Sequence, residues 1–200
     1  MLEYDITLAG DVNSDTRQIA RGLRQGDVVL LQALVEQYQY RLVRYLIYLL
    51  GRRDEVDDLV QETWLRVLER GRSYDGHSRF EPWLFTIARN LTIDHMRKRR
   101  VHSLDSNSNP EQDDIALSPV SDAPSPFALA ARTEDSQRLA LALQSLQPIY
   151  REALVLRFQE DLSLQEIATV VRAPITTVAS RIYRALAELR PQLDGGNHES

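Results

Sequence analysis

Hydrophobic side chains recur at steps of three and four residues along much of the chain, which is the spacing of helices that bury one face. The longest such pattern begins after Asp27, a residue type suited to capping a helix N-terminus, and Gly51 ends it. Its apolar positions are Leu30, Leu31, Leu34, Val35, Tyr38, Leu42, Tyr45, Leu46 and Leu49. A shorter helix is predicted from Asp15 to Gly26, and residues 1 to about 14 are predicted to form a flexible tail.

A second amphipathic helix is predicted to start at Asp54 and to stop at Gly71. Its apolar stripe comprises Val56, Leu59, Val60, Thr63, Trp64, Val67 and Leu68. The opposite face presents Asp58, Gln61, Glu62, Leu65, Arg66 and Glu69. Acidic residues in a first turn stabilise a helix by themselves, but that effect does not account for a leucine on the polar face. An acidic surface with one apolar residue is typical of docking on a basic protein surface.

The helix predicted from Phe80 to Arg100 combines an apolar stripe with a neighbouring aromatic and polar sector. The stripe holds Phe80, Leu84, Ile87, Ala88 and Leu91, and the sector holds Trp83, Asn90, Asp94 and Arg97. A ring, an amide and a cation are the groups that stack on, hydrogen-bond to and attract an unpaired base strand. The alternative is that the Trp83 ring is a core anchor and that the basic helix end only complements the helix dipole.

The segment from Gly71 to Arg79 is predicted to be a loop because of its glycine, serine and aspartate residues. Since it comes just before the helix that carries Trp83, it can overhang the base-facing sector and hold an extruded nucleotide. A plain connection between two helices explains the same composition equally well.

A linker is predicted from Val101 to about Arg132, where the chain shows neither periodicity nor dense apolar residues. It contains Pro110, Pro119, Pro124 and Pro126. Fully extended it spans on the order of 100 Å, so the parts that it joins need not touch. A solvated spacer is the ordinary interpretation, and the alternative is a polyanionic strand that threads a basic channel built for nucleic acid.

Four helical segments are predicted from Ser136 onwards, and the last two resemble a helix-turn-helix whose second helix enters the major groove. They begin near Leu139, Pro148, Ser163 and Pro174, and Glu166 completes a capping-box pattern. The outward positions of the last helix are Thr176, Thr177, Ser180, Arg181 and Arg184, and the inward positions are Ile175, Val178, Ile182 and Leu186. The alternative is a helical hairpin that does not bind DNA.

Charge and composition narrow the classes of function. The net charge of −5 is concentrated in residues 101–137, which have 1 basic and 7 acidic side chains, against 16 and 15 in residues 1–100 and 7 and 7 in residues 138–200. Any surface that faces DNA is therefore a local basic patch.

The chain has no cysteine and four scattered histidines, so neither a metal site nor a cofactor is expected. No secretory signal or membrane-spanning run is recognisable, and we expect a cytoplasmic protein without membrane insertion.

Three blocks of the sequence resemble the extracytoplasmic-function (ECF) class of bacterial sigma factors. They read DDLVQETWLRVLE, FEPWLFTIARNLTIDHMRKRR and LQPIYREALVLRFQEDLSLQEIATVVRAPITTVASRIYRAL, in this order and with a variable linker before the third. The resemblance covers the chain from Asp15 to Leu193.

The resemblance implies an all-α fold of two small helical domains. Residues 15–100 would form a three- to four-helix domain that binds the polymerase and recognises and melts the −10 element. Residues 101–135 would form a flexible acidic linker that runs through the polymerase toward the RNA exit path. Residues 136–193 would form a four-helix domain whose helix-turn-helix binds the −35 element.

The resemblance also implies roles for individual side chains. The residues implied to dock on the clamp helices of the largest polymerase subunit are Asp58, Gln61, Glu62, Leu65 and Arg66. Those implied to contact the −10 element are Arg79, Trp83, Asn90, Asp94, Arg97 and Lys98, and Asn90 matches a position that recognises a flipped base of the non-template strand. Those implied to contact the −35 element are Thr176, Thr177, Ser180, Arg181, Tyr183 and Arg184.

The sequence departs from the usual family pattern at two places in the helix-turn-helix. Ala179 stands where a basic residue is common, and the turn Arg172-Ala173-Pro174 lacks the glycine often found there. Both departures bear on how the chain binds the −35 element.

We therefore expect an alternative sigma factor, and not an enzyme, that binds bacterial core RNA polymerase, directs it to specific promoters and promotes DNA melting. Members of this class are often held inactive by an anti-sigma factor, which is a further expected partner.

A stand-alone helix-turn-helix regulator is the first alternative, and it would bind an operator tightly without polymerase. An adaptor would compete with transcription, and an enzyme is disfavoured because no nucleophile–base pair, metal-spaced histidine set or glycine-rich phosphate loop is visible.

Overall fold

The computed structural model describes residues 12–103 and 134–194, which form helices without a β-strand among them. The first range contains α1 (Val12–Gln25), α2 (Val28–Leu50), α3 (Val56–Arg70), a short 3₁₀ turn (Gly71–Ser73) and α4 (Phe80–Ser103). The second contains α5 (Glu134–Ser145), α6 (Pro148–Leu154) with a π-helical turn (Val155–Gln159), α7 (Leu164–Val171) and α8 (Ile175–Asp194). We refer to α1–α4 as the N-terminal bundle and to α5–α8 as the C-terminal bundle. The predicted all-α fold is confirmed.

Both ends of α2 follow from local chemistry. The Asp27 side chain accepts hydrogen bonds from the backbone N–H groups of Val29 and Leu30, at 3.0 and 3.1 Å. Gly51 ends the helix with φ 72°, a conformation that glycine adopts without steric cost, and its N–H donates to the carbonyl of Ile47. The predicted cap and stop of this helix are confirmed.

The core of the N-terminal bundle is built from the predicted apolar stripes of α2, α3 and α4. Its fully enclosed members include Leu34, Leu42, Leu46, Leu84 and Phe85. One stripe position was predicted wrongly, because Leu68 remains 49% exposed near the C-terminal end of α3. It lies twelve residues after Val56, and twelve steps of 100° turn its side chain away from the direction of Val56, so α2 and α4 do not cover it.

The C-terminal bundle contains the predicted helix-turn-helix. The Ser163 hydroxyl accepts from the Glu166 N–H at 3.2 Å, and the Ser163 N–H donates to the Glu166 carboxylate at 2.7 Å, so the predicted capping box is confirmed. The turn has no glycine, and Arg172 itself adopts the left-handed conformation, with φ 52°. A non-glycine residue in this conformation costs about 1–2 kcal/mol.

The buried face of α8 differs in part from the predicted one. Val178 is buried and Ile182 is half-buried, as predicted, but Ile175 and Leu186 are 44% and 45% exposed. Ala185 and Leu189 take their place in the core. Seen down the helix axis, the buried positions lie within about 60° of one another, and the two mispredicted residues lie at the edge of that stripe.

The two bundles share one continuous hydrophobic core. The cluster that contains Leu34 and Phe85 also contains Leu156, Ile167 and Val170 of the C-terminal bundle. Helix α7 packs along α4, and α6 packs on α2. The sequence left open whether the two halves touch, and in this structure they are in contact.

Candidate nucleic-acid and protein interfaces

The polar face of α3 is exposed as predicted. Asp58 and Gln61 are exposed, and Leu65 is 50% exposed. The Arg66 guanidinium lies 3.0 Å from Glu62 and 3.1 Å from Glu69, so both ends of the arginine are paired with acids on its own helix. Asp58 adds a further negative charge, so the face is net acidic.

Leu68 enlarges this surface. It is exposed to nearly the same extent as Leu65, and because it lies three residues later on the same helix, the two side chains are neighbours on the helix surface. Two leucines ringed by acidic side chains form a small apolar patch that can be desolvated on docking. The sequence pattern missed Leu68 because its spacing also fits the buried stripe.

The predicted base-facing sector of α4 is only partly open. Asp94, Arg97 and Lys98 are exposed, and Asn90 is half-buried. The Arg97 guanidinium lies 3.0 Å from the Asp94 carboxylate one turn earlier, which neutralises part of the positive charge of this helix end. Trp83 is half-buried and packs against the core.

Trp83 belongs to an aromatic cluster that joins α4 to the preceding loop. Its ring centroid lies 5.3 Å from that of Tyr74 and 5.7 Å from that of Phe80. The Tyr74 hydroxyl donates to the carbonyl of Ser78 at 2.6 Å, which fixes the loop from inside. The sequence allowed Trp83 to be either a core anchor or a surface for stacking a base. In the structure its half-buried side chain packs against the core and remains partly accessible.

The loop before α4 is also held by α1. Gly76 has φ 74°, and a Cβ added there would lie 2.8 Å from the carbonyl oxygen of Thr16, so only glycine fits this close approach. The Asp75 carboxylate accepts from the N–H of His77 at 2.9 Å. The loop is thus built to a defined shape next to Trp83.

Arg79 is directed toward the C-terminal bundle. Its guanidinium donates to the carbonyl of Asp161 at 3.1 Å and to Glu81 at 3.2 Å, and it lies 3.9 Å from Glu166. Burial acts to lower the pKa of Arg79, but the neighbouring carboxylate of Glu81 outweighs it and the pKa is raised. The bond to Asp161 ties Arg79 to the segment just before the helix-turn-helix.

The basic end of α4 is anchored to the start of α3 through Glu55. The Glu55 carboxylate bonds to His95 Nε2 at 2.6 Å, to the Arg99 guanidinium at 3.0 Å and to Arg52. Three cationic or ionisable partners on one carboxylate fix the direction in which α4 leaves the bundle. The sequence showed no signal for this contact, because 40 residues separate Glu55 from His95.

The outward residues of α8 border an open depression of about 360 Å³. It is lined by Ile149, Tyr150, Thr176, Thr177, Ser180, Arg181 and Arg184. Five of the six residues predicted to contact the −35 element are therefore brought together, while Tyr183 lies outside the depression and is 76% exposed.

The sequence pattern did not assign Tyr150 to this surface. Its hydroxyl accepts from the Arg184 guanidinium at 3.4 Å, and this bond contributes most to raising the pKa of Arg184. The first turn of α6 therefore adds a ring and a hydroxyl beside the last helix. Ala179 is exposed on the same helix and offers no charge.

Charged groups are buried where the two bundles meet. Arg89 of α4 donates from Nε to Glu152 of α6 at 2.7 Å, and the Tyr45 hydroxyl of α2 donates to the same oxygen at 2.8 Å. Burial acts to lower the pKa of Arg89, but the Glu152 carboxylate outweighs it and the pKa is raised. Burial, reinforced by Glu152, raises the pKa of Tyr45 well above its ordinary value.

A second carboxylate, that of Glu160, is completely enclosed at the same junction. Arg41 Nε donates to it at 2.8 Å and an Arg44 nitrogen donates to it at 2.9 Å, both from α2. Arg151 of α6 is buried nearby, its Nε has no hydrogen-bond partner within the described residues, and burial lowers its pKa to about 10. The junction thus contains two satisfied carboxylates and two guanidiniums, those of Arg44 and Arg151, whose Nε atoms have no hydrogen-bond partner within the described residues.

The two halves of the chain match two regions of one family of transcription factors. Residues 34–101 match Sigma-70 region 2, and residues 136–189 match Sigma-70 region 4. These ranges contain the exposed faces of α3 and α4 and the helix-turn-helix, so fold and surfaces together define a DNA-binding transcription initiation factor of the sigma-70 type.

Individual relatives narrow the class. The chain is 31% identical over 173 residues to the ECF RNA polymerase sigma factor SigW of Bacillus subtilis, covering 86% of this chain and 92% of the relative. A solved structure of CnrH in complex with the cytosolic domain of CnrY is similar with a TM-score of 0.63 and 25% identity, over 92% of this chain and 99% of that chain. Another, the Bartonella quintana sigma factor RpoE in complex with the anti-sigma factor NepR, is similar with a TM-score of 0.62 and 27% identity, over 82% and 96%.

The chain belongs to the ECF sigma factors. It is an alternative sigma factor that binds core RNA polymerase and promoter DNA and directs promoter-specific transcription initiation. No helix among the described residues combines the length and the hydropathy needed to cross a membrane.

Proposed function

We propose that three exposed faces of this chain have separate roles, one in binding the polymerase and two in recognising the promoter. The acidic face of α3 around Leu65 docks on the polymerase, the loop and sector around Trp83 and Asn90 open the −10 element, and the outward face of α8 binds the −35 element. The observation that supports this assignment is that each face is at least partly exposed and lies on a different helix. Residues 15–100 and 136–193 then act as two domains.

The α3 face has the composition of an anchored docking site. Leu65 and Leu68 supply apolar area, and the surrounding acids attract a basic surface and guide its approach. Because Arg66 is already paired with Glu62 and Glu69, its role is to position these acids. We include Asp58, Gln61 and Glu62 in this surface and add Leu68 to it.

For the −10 element, the fixed loop and the Trp83 ring form a place for one extruded base. Unstacking a base pair costs a few kcal/mol, and stacking on an aromatic ring returns about 1 to 3 kcal/mol. The amide of Asn90 can donate to and accept from the edge of that base. Since Arg97 is partly neutralised by Asp94, most of the attraction for phosphates comes from the polymerase, and the isolated chain binds DNA weakly.

For the −35 element, the hydroxyls of Thr176 and Ser180 and the guanidinium groups of Arg181 and Arg184 provide hydrogen bonds to base edges and phosphates. Tyr150 holds Arg184 from the side, which limits the directions in which that guanidinium can point. The α8 surface therefore recognises one groove segment and relies on the polymerase for the rest of its affinity.

The remaining parts of the assignment concern partners and location. The proposed acidic linker over residues 101–135 lies mostly outside the described residues, since α4 reaches Ser103 and α5 begins at Glu134. One of the two related structures contains the anti-sigma factor NepR and the other the cytosolic domain of CnrY, and we include an anti-sigma factor among the partners of this chain. The protein performs no catalysis of its own and acts in the cytoplasm.

Two substitutions test the division of roles. Leu65→Ser should weaken binding to core polymerase at least tenfold in a fluorescence titration, because an anchor residue is lost from the docking face. Val29→Ser is the matched control, since Val29 is an exposed apolar residue of the same bundle outside the proposed face. Equal binding by the two variants would contradict the role of α3.

Asn90→Ala should leave core binding intact and reduce open-complex formation on promoters that carry one base identity in the −10 element. The measurement is permanganate footprinting on a set of promoters that differ at single −10 positions. Unchanged promoter preference would remove Asn90 from the recognition site without affecting the assignment of α3.

A further inference from the structure

The hydrogen bond between Tyr150 and Arg184 joins the first turn of α6 to the outward face of α8. Arg184 donates from its guanidinium to the Tyr150 hydroxyl at 3.4 Å. The Tyr150 ring is half-buried and packs against the core cluster that contains Ala185 and Leu189. Because packing holds the ring, the hydroxyl at its tip is a fixed acceptor beside a long and otherwise exposed side chain.

Tyr150 holds Arg184 without cancelling its charge. Exposed arginines of α4 are held differently, since Arg97 and Arg99 are each paired with a carboxylate at 3.0 Å. A carboxylate neutralises the guanidinium that it binds, whereas a phenol hydroxyl does not. No carboxylate among the described residues forms an ion pair with Arg184, and Glu188 attracts it only from a longer distance. The positive charge of Arg184 is therefore available to a ligand while its direction is restrained.

The bond to Tyr150 also decides which edge of the Arg184 guanidinium is left for a ligand. The bond uses the NH1 nitrogen, so the edge formed by Nε and NH2 keeps two parallel N–H donors. Two such donors match the O6 and N7 acceptors of guanine in the major groove, which is the commonest specific contact of arginine with DNA. An edge whose direction is already restrained loses less freedom on binding, so it favours a base with two acceptors in the matching geometry.

The pair lies in the surface that we assign to the −35 element. Tyr150 and Arg184 both line the open depression of about 360 Å³, beside the hydroxyl side chains of α8. The two cations that line this depression are Arg181 and Arg184, and Ala179 on the same helix adds no charge. Since few cations are present, base selection by this surface depends strongly on where each guanidinium points.

We infer that Tyr150 is a specificity-determining residue of the −35 surface and that it acts by positioning Arg184, whose Nε–NH2 edge pairs with one guanine. The inference rests on the proposed assignment of the outward face of α8 to the −35 element. It extends that surface to the first turn of α6, because Tyr150 acts through Arg184 rather than through a DNA contact of its own. Base recognition at one position therefore depends on two helices.

Base preference is measured on promoter fragments randomised at the −35 positions and sequenced after binding by the complex of this chain with core polymerase. The wild-type complex should enrich guanine at one position, and Arg184→Ala should abolish that enrichment. Tyr150→Phe keeps the ring and removes the hydroxyl, so it should reduce the enrichment about threefold to tenfold at this position alone. Tyr40→Phe is the matched control, since Tyr40 is an exposed tyrosine outside the proposed sites, and it should match the wild type.

Two further measurements separate positioning from a structural role. 7-Deazaguanine, which lacks the N7 acceptor, should weaken binding of the wild-type complex when it replaces the enriched guanine, and should weaken Tyr150→Phe less. The thermal midpoint of Tyr150→Phe should equal that of the wild type. If it falls instead, Arg184→Lys decides at an exposed position, because lysine keeps the charge but has no planar edge and should lose the guanine preference.

The outcomes distinguish this inference from the proposed function. An unchanged preference in Tyr150→Phe, or equal losses at all −35 positions, would overturn the role of Tyr150 even where Arg184→Ala acts at one position. Guanine enrichment that survives Arg184→Lys would overturn it as well. If the wild-type complex selects no base at the −35 positions, or if Arg184→Ala leaves the selection unchanged, the assignment of α8 is wrong and the inference fails with it.

Discussion

Arg89 and Glu152 are 63 residues apart in sequence, yet they meet at 2.7 Å in the interior of the protein, where their side chains are 5% and 1% exposed. This pair joins α4 to α6 and therefore joins the two halves of the sigma factor. Since the Tyr45 hydroxyl bonds to the same carboxylate, three helices depend on one glutamate.

Glu152→Gln should uncouple the unfolding of the two bundles. Removing one partner of a buried pair costs about 3–5 kcal/mol, and this cost falls on the contact between the bundles. Tryptophan fluorescence reports on the N-terminal bundle alone, because Trp64 and Trp83 are the two tryptophans of the chain, whereas far-UV circular dichroism reports on both bundles. In urea the two midpoints should coincide for the wild type and separate for Glu152→Gln.

The control is Glu62→Gln, which removes a carboxylate from an exposed pair within α3. Such a pair contributes about 0–1 kcal/mol, so its two midpoints should still coincide. Separate midpoints in the wild type would mean that the bundles are not coupled in solution.

Arg151→Met should stabilise the protein against unfolding. Burial lowers the pKa of Arg151 to about 10, which shows that the junction disfavours its charge, and a thioether chain of similar length needs no hydrogen-bond partner. Replacing a poorly compensated buried charge with an apolar residue often gains about 1–4 kcal/mol. The urea midpoint should rise, while Arg190→Met at an exposed site of α8 should leave it unchanged.

Arg172→Gly should stabilise the helix-turn-helix. Arg172 ends α7 with φ 52°, and glycine adopts this conformation without the steric cost, although it also makes the unfolded chain more flexible. The net gain should be about 0.5–1 kcal/mol in thermal unfolding. The same change at Arg190, which lies within α8, should instead cost about 1 kcal/mol. A loss of stability at both positions would show that the Arg172 side chain contributes more than its backbone strain costs.

Ala179→Arg should strengthen binding to the −35 element. Ala179 is exposed on the outward side of α8 between Thr176 and Ser180, so an arginine there is within reach of a phosphate. One added phosphate contact should steepen the dependence of log K on log salt by about 0.9. Fluorescence anisotropy of a −35 duplex titrated with the complex of this chain and core polymerase measures this slope. Ala187→Arg, about 12 Å further along the same helix, is the control and should change the slope less.

The sequence predicted those features that depend on local spacing. The cap of α2 at Asp27, its stop at Gly51 and the capping box at Ser163 each follow from residues within a few positions of one another, and all three are confirmed. The errors, at Leu68, Ile175 and Leu186, lie at helix ends or at the edges of apolar stripes. There the helical period no longer decides which side chains are covered.

The contacts between distant segments were not predictable in the same way. Periodicity placed Phe85 and Arg89 on no particular surface, although they form the face on which the C-terminal bundle packs. The pairing of Arg89 with Glu152 depends on a tertiary arrangement that helical spacing does not encode. One signal was present in the sequence, since Glu152 directly precedes the apolar segment 153–156, and a charge on a buried helix needs a partner.

The measurement that tests the central claim most directly is run-off transcription with purified core RNA polymerase on pooled promoter fragments, with and without this chain. The account predicts discrete transcripts that require the chain and that Leu65→Ser weakens. No chain-dependent transcript from any fragment, together with tight binding of the isolated chain to a specific duplex, would contradict it and favour a stand-alone DNA-binding regulator.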